Sequence, residues 1–396
     1  MYSKKKILKN LILVAGILII LIILVCSLGD IKAIWSTITT QAKARWMFAT
    51  LGLVLLYCFF NQLSIVFLTR RKYKNIKRTT LFYVAGSEFF FNAITPFSSG
   101  GQPFQAYALK QKGVKFSDST SILLLNFLAY QIVMNLISVA AVVFYYKRLV
   151  VDVPNLSWLV FIGFSINLLV MVFLVLLGTT KFMGAGVIKL VDLLAKVKFL
   201  KRFLGNKTEA VRVYVSEMQG AFKEMGKSKR VWFFAAISKA ISLMIYYCIP
   251  FFSFLAIGIN LGLNNFIYVA AMTSFALTIA VWIPTPGSSG GAEMAFTTLF
   301  IGLAALRTAP VNPDGDINVA KNLAVSGMLI WRTFTYYLLM IYGLVMYLLF
   351  DRTTRTDNAQ ALAMESQAED DLKEASEEVK NEEAETPKEN EVEEWE

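Results

Sequence analysis

Four ionisable side chains fall inside long apolar stretches of this chain: Glu88, Lys239, Glu293 and Arg332. A charge at the centre of a hydrocarbon layer costs roughly 2.5–3.5 kcal/mol on insertion scales, so each is a candidate for binding or transport chemistry. Two near-identical heptapeptides accompany them. TPFSSGG occupies residues 95–101 and TPGSSGG residues 285–291, differing only at Phe97 against Gly287. A short helix starting after each Gly-Gly, near Gln102 and Ala292, presents unpaired amides and the positive end of its dipole. Gly100, Gly101, Gly290 and Gly291 let a ligand approach the backbone. Ser98, Ser99, Ser288 and Ser289 supply hydroxyls, for a ligand or for plain capping of the helix. Such tips suit a phosphate or a carboxylate. With Gln102 and the four intramembrane charges, these residues form the candidate substrate-binding set.

Other chemistries are excluded by residue type. The chain has no histidine, and Cys26, Cys58 and Cys248 lie scattered in apolar runs. Histidine acid–base catalysis and Cys/His metal sites are therefore ruled out. No phosphate-loop motif for nucleotide hydrolysis is present. No catalytic set, metal or cofactor is expected. Neutral polar residues fall in helical stripes: Tyr57, Asn61 and Ser64; Gln131, Asn135 and Ser138; Ser238, Ser242 and Tyr246 beside Lys239; Thr335 and Tyr336 beside Arg332. Each stripe fits either a polar cavity or hydrogen bonding between helices. For the charges, a structural pair such as Lys239 with Glu293 is the rival to a ligand site.

The elements that position these residues follow from hydropathy. Apolar residues make up 56% of the chain and the mean hydropathy is +0.55, well outside the soluble range. About 20 apolar residues span a bilayer as a helix. Six full spans are expected, at about 7–27, 46–68, 119–145, 157–178, 231–255 and 323–349. The first reads as a retained signal anchor behind Lys4–Lys6. Two further apolar regions, 79–109 and 266–305, are broken in the middle by the heptapeptides.

Lys and Arg set the orientation. Segments 1–9, 69–78, 110–115 and 181–230 carry four, six, three and twelve of them; 28–45, 146–156, 258–265 and 306–322 carry three, two, none and two. The rich set is assigned to the cytoplasm, which places both termini inside. Alternation then requires each broken region to enter and leave on one side, 79–109 from the cytoplasm and 266–305 from outside. The expected fold is an all-α polytopic membrane protein built as an inverted repeat. Each half has two transmembrane helices, a re-entrant helical hairpin and a third transmembrane helix. The first half lies within residues 1–178 and the second within 157–350. Paired broken segments in matching positions point to a transport site near the midplane.

Charge is unevenly spread. Residues 1–355 carry 36 Lys+Arg against 12 Asp+Glu, a net +24, whereas 356–396 carry 3 against 16, a net −13, together the +11 of the chain. The acidic tail 356–396 has too few large apolar residues to bury a core and is expected to be disordered. The basic body fits an anionic lipid surface and has no nucleic-acid-binding signature. In the long basic loop 181–230, Val187, Val191, Leu194 and Val197 share a helical face, which suits a helix lying in the interface or a connector packed on the protein.

At "TPFSSGGQPFQAYALKQKG" and "PTPGSSGGAEMAF" the chain resembles the flippase-type membrane domain of lysylphosphatidylglycerol synthases and the short stand-alone proteins related to it. The resemblance covers about residues 7–350. It implies inverted halves with re-entrant helices and Glu293 in the acidic position of the second motif. Gln102 and Gln105 stand where the family often has Glu and Arg. Larger members also carry a soluble domain that transfers lysine from aminoacyl-tRNA to phosphatidylglycerol; beyond Phe350 only the acidic segment is expected here. The expected function is translocation of a lipid headgroup, from an anionic or aminoacylated phospholipid or a related lipid, in the cell membrane. A membrane-embedded lipid transferase and an ion-coupled small-solute transporter are the alternatives. A membrane phospholipid is the expected partner, and self-association is left open.

Overall fold

The computed structural model describes residues 31–152, 157–195, 208–280, 283, 285–308 and 317–357. The expected first span, the centre of the basic loop and most of the acidic tail lie outside the described residues. The chain divides into two units, Met1–Tyr347 and Leu348–Glu396. Of the second, only 348–357 is described; it is helical, with Arg355 Nη2 2.8 Å from Asp351 Oδ2.

The first unit is helical, with no strand longer than an isolated bridge among the described residues. Its helices are α1 (Ile31–Gln41), α2 (Ala44–Arg70), α3 (Arg78–Ala93), α4 (Gly101–Gln111), α5 (Phe116–Asp152), α6 (Ser157–Thr179), α7 (Lys181–Ala195), α8 (Thr208–Gly226), α9 (Lys229–Ala256), α10 (Phe266–Ala280), α11 (Gly291–Thr308) and α12 (Ile317–Arg332). Six helical stretches are long and apolar enough to cross a membrane: Ala44–Arg70, Phe116–Arg148, Trp158–Thr179, Lys229–Ala256, Leu263–Ala280 and Asn318–Asp357. The chain is a multi-pass membrane protein. Five of these contain or closely match spans read from hydropathy. The remaining one, Leu263–Ala280, adds a one-turn 3₁₀ segment to α10.

Both broken regions are helix–break–helix. At 1.5 Å per residue, α3 and α4 are about 24 and 17 Å long, and α10 and α11 about 22 and 27 Å. Helices α3 and α4 each fall well short of a hydrocarbon core of about 30 Å, whereas α10 with its preceding 3₁₀ turn is one of the six stretches long enough to cross. Small residues let the helices approach closely, as membrane packing requires. A Cβ on Gly343 would collide with the Phe90 amide, and one on Gly86 would lie 2.6 Å from Met346 Cγ.

The centre is apolar and aromatic. Phe254, Phe296, Phe300 and Trp331 stack with centroids 4.2–6.2 Å apart, and all four side chains are buried. Helices α2 and α9 pack along one another. The basic loop contains α7 and α8. Helix α8 buries Val215, Met218, Phe222 and Met225, the i, i+3, i+4 pattern of one face. Gln219 Nε2 donates to the carbonyls of Leu177 and Thr180 at 2.7 and 2.9 Å. Helix α8 is thus a connector packed on the bundle. On α7, Val187 and Val191 are half-buried, while Phe182, Leu190 and Leu193 are exposed.

Candidate functional site

The two heptapeptides fold alike. Phe97 and Ser98 have φ of +54° and +50°; their counterparts Gly287 and Ser288 have +58° and +55°. The Ser99 amide donates to the Pro96 carbonyl at 3.2 Å, and the Ser289 amide to the Pro286 carbonyl at 3.1 Å. Two successive positive φ closed by this bond match a type I′ turn. The tips also meet, since Pro96 and Pro286 form an isolated antiparallel β-bridge. Beside it, the Tyr336 hydroxyl donates to the Ala93 carbonyl at 3.1 Å.

Phe97 adopts this conformation although it carries a side chain, and 52% of its surface is exposed. A left-handed L-residue costs roughly 1–2 kcal/mol, whereas glycine, with no Cβ, does not bear it. Phe97→Gly is therefore expected to leave thermal stability in detergent unchanged or raised by up to about 1 kcal/mol, allowing for glycine's greater freedom when unfolded. A clear loss of stability would show that the ring anchors the tip.

The second tip is built around a buried ion pair. Arg332 Nε lies 2.6 Å from Glu293 Oε1, with both side chains nearly inaccessible. Glu293 Oε2 accepts the Gly290 amide at 2.6 Å, and Arg332 Nη2 donates to the Gly287 carbonyl at 3.3 Å. One guanidinium–carboxylate pair thus holds both ends of the TPGSSGG turn. Gly290 has φ +90° and open space where a Cβ would be; at Gly291 that place is taken by the Ile283 side chain. Immediately after Arg332, the helix widens into a π turn over Thr333–Tyr337. Such turns are rare and frequent at functional sites.

The first tip is held by neutral side chains. The Gly100 amide donates to Thr95 Oγ1 and the Gly101 amide to Asn92 Oδ1, both at 2.8 Å. Glu88 accepts from Asn92 Nδ2 at 3.3 Å and from Gln105 Nε2 at 3.0 Å. The amides of Gly100, Gly101 and Gly290 are therefore held by side chains other than the tip serines. Ser99 instead donates to the Pro96 carbonyl at 2.9 Å. Gln102 and Ser99 are exposed, and Ser289 is buried.

A cavity of about 240 Å³ lies between the tips. Its lining includes the polar residues Tyr57, Tyr130, Tyr246, Ser98, Ser288 and Arg332. Glu293 lies against Arg332 at the second tip. Lys239 does not line the cavity and does not pair with Glu293. Its Nζ donates to Asn61 Oδ1 at 2.7 Å and to the Asn61 carbonyl at 3.2 Å, between α9 and α2. The Gln131, Asn135 and Ser138 stripe is buried within the bundle and does not border the cavity. Sequence reasoning missed Asn92 and Thr95 as caps. Their spacing to the Gly-Gly, eight and five residues upstream of Gly100, is the one local signal that could have pointed to them.

Broken apolar helices whose tips meet beside a cavity of mixed apolar and polar lining define a helical membrane protein with an internal cavity. Residues 11–343 match the model of the lysylphosphatidylglycerol synthase TM region family, and the chain belongs to that family. No curated protein matches it in sequence.

Proposed function

We propose that the chain is a lipid translocase that passes a phosphate-bearing phospholipid headgroup between its two tips while the acyl chains stay in the bilayer. The observation that carries this is the tip-to-tip cavity. Arg332 and the hydroxyl-bearing residues Tyr57, Tyr130, Tyr246, Ser98 and Ser288 border it, and a phosphate is the headgroup part that can accept from a guanidinium and several hydroxyls at once. Ser98, Ser288 and Arg332 are the contact residues; Glu293, Ser289, Gly290 and Gly291 shape the second tip, and Glu88, Ser99, Gly100, Gly101 and Gln102 the first. Lys239 contributes positive charge from the α2–α9 seam. At about 240 Å³ the cavity lies just under the roughly 300–1,000 Å³ of most ligand sites, so it fits a headgroup rather than a whole lipid. The same volume favours, as a second reading, a small anionic solute.

The reading includes an inverted repeat with two re-entrant hairpins, in a plasma membrane with both termini cytoplasmic. Three observations support it. The matching turns have matching dihedrals. The tips touch each other, and α2 packs along its counterpart α9.

Purified protein in vesicles should equilibrate labelled phosphatidylglycerol between leaflets, and should do so faster than labelled phosphatidylcholine. Cysteine accessibility should place residues 74, 112 and 207 on one side and 152 and 314 on the other. Uptake of a soluble phosphate ester without lipid movement would select the solute reading. Residues 74 and 112 on opposite sides would remove the first hairpin.

A further inference from the structure

A second cavity, of about 490 Å³, lies away from the tips, where α2 ends, α3 begins and α9 starts. Its walls divide by chemistry. Phe59, Phe67 and Phe82 line it, with Phe59 and Phe82 stacked at 5.7 Å. Arg70, Arg71 and Arg78 line it as well. From Phe59 to Arg70 is about 16 Å along the helix, so the apolar wall runs from the Phe59–Phe82 pair up to Phe67, one turn below the arginines at the end of α2. The cationic end coincides with segment 69–78, which carries six Lys+Arg and no acidic residue. Such clusters sit at the membrane–water boundary.

We propose that this groove is a binding site for one anionic phospholipid of the surrounding bilayer, separate from the tip cavity. One acyl chain lies along the phenylalanines and the phosphate meets the arginines. Charge and position select this occupant. The groove is within the size range of ligand sites, and three guanidiniums at one end match a phosphodiester bidentately.

The arginines differ in commitment. Arg70 Nη1 donates to the Ile76 carbonyl at 2.8 Å, and Arg71 Nη1 to the carbonyls of Glu224 and Met225. These bonds tie loop 71–77 and the end of α8 to the groove and use one nitrogen of each guanidinium. Arg78 is exposed at the first turn of α3. Nearby Lys72 is taken by Asp118 at 2.9 Å. Glu224 is the acidic side chain nearest in the chain to the carbonyls that Arg71 contacts. Occupied, the groove fastens the α2–α3 turn, and with it the base of the first broken region, to the lipid.

Native mass spectrometry of the full chain, titrated with phosphatidylglycerol or phosphatidylcholine, tests this. The expected result is a retained phosphatidylglycerol adduct that phosphatidylcholine does not replace. Arg78→Gln should weaken it about tenfold, the loss of one charge-assisted bond set. Leu63→Trp, which fills the apolar end and leaves every charge in place, should weaken it too. The double change Glu293→Gln/Arg332→Gln, which alters the tip cavity alone, should leave this adduct intact, so the groove and the translocation pathway stand or fall separately. Equal binding of both lipids, an unchanged adduct in Arg78→Gln and Leu63→Trp, or displacement of the lipid by inorganic phosphate would each overturn the proposal.

Discussion

Arg332→Gln abolishes lipid translocation and strongly destabilises the protein, while Glu293→Gln/Arg332→Gln recovers most of the stability and none of the transport. That is the expected outcome of the central substitution pair. Glu293 is 1% exposed and its carboxylate has Arg332 as its ion-pair partner, at 2.6 Å. Removing one member of a buried pair leaves the other charge uncompensated, at about 3–5 kcal/mol; removing both as neutral isosteres can be nearly neutral. In the double variant, the carboxamide oxygen introduced at position 293 can still accept the Gly290 amide, so the turn keeps its cap. What it lacks is the guanidinium of Arg332, a residue that borders the cavity. Arg332→Lys should fall between: it keeps the charge, but one ammonium cannot reproduce the fork that reaches both Glu293 Oε1 and the Gly287 carbonyl. Melting temperature and vesicle translocation, measured on the same preparations, separate the two roles. Recovery of transport in the double variant would reduce the pair to a structural tie.

The second large effect concerns the tips. With Cys26, Cys58 and Cys248 replaced by alanine, cysteines at positions 96 and 286 should form a disulfide and stop translocation, with reductant restoring it. Facing residues of an antiparallel bridge have Cα atoms roughly 4.5–5.5 Å apart, inside the roughly 4.4–6.8 Å that a disulfide spans. A headgroup crossing between the tips needs them to part, so a covalent tie holds one state of a two-state element. The single-cysteine variants control for loss of each proline. Full transport by the cross-linked protein would make the tips a fixed scaffold, and failure to cross-link would deny their contact.

Local signals marked several residues of the candidate site. The heptapeptides marked both turns, and Glu293 and Arg332 stood out because each is a charge in an apolar run. Hydropathy placed five spans that α2, α5, α6, α9 and the last long helix reproduce closely. What local signals could not supply was partnership. On sequence grounds the partner put forward for Glu293 was Lys239. Arg332 is the partner, and Lys239 is held by Asn61, 178 residues away. Gly291 reads as room for a ligand, yet the space beside it belongs to Ile283. The serines read as caps, but Thr95, Asn92 and Glu293 take the amides.

By itself, the sequence determined the membrane class, the positions of most spans and the two breaks, because insertion free energy is a sum over neighbouring residues and glycine and proline act where they stand. The tertiary structure decided which cation neutralises Glu293, that the tips 190 residues apart touch, and which side chains border the cavity. Those depend on the rotation and register of packed helices, including one π turn after Arg332 that shifts the face of everything beyond it. Rotation and register are set by close packing between distant segments, at contacts such as Gly343 on Phe90, and no local pattern encodes them.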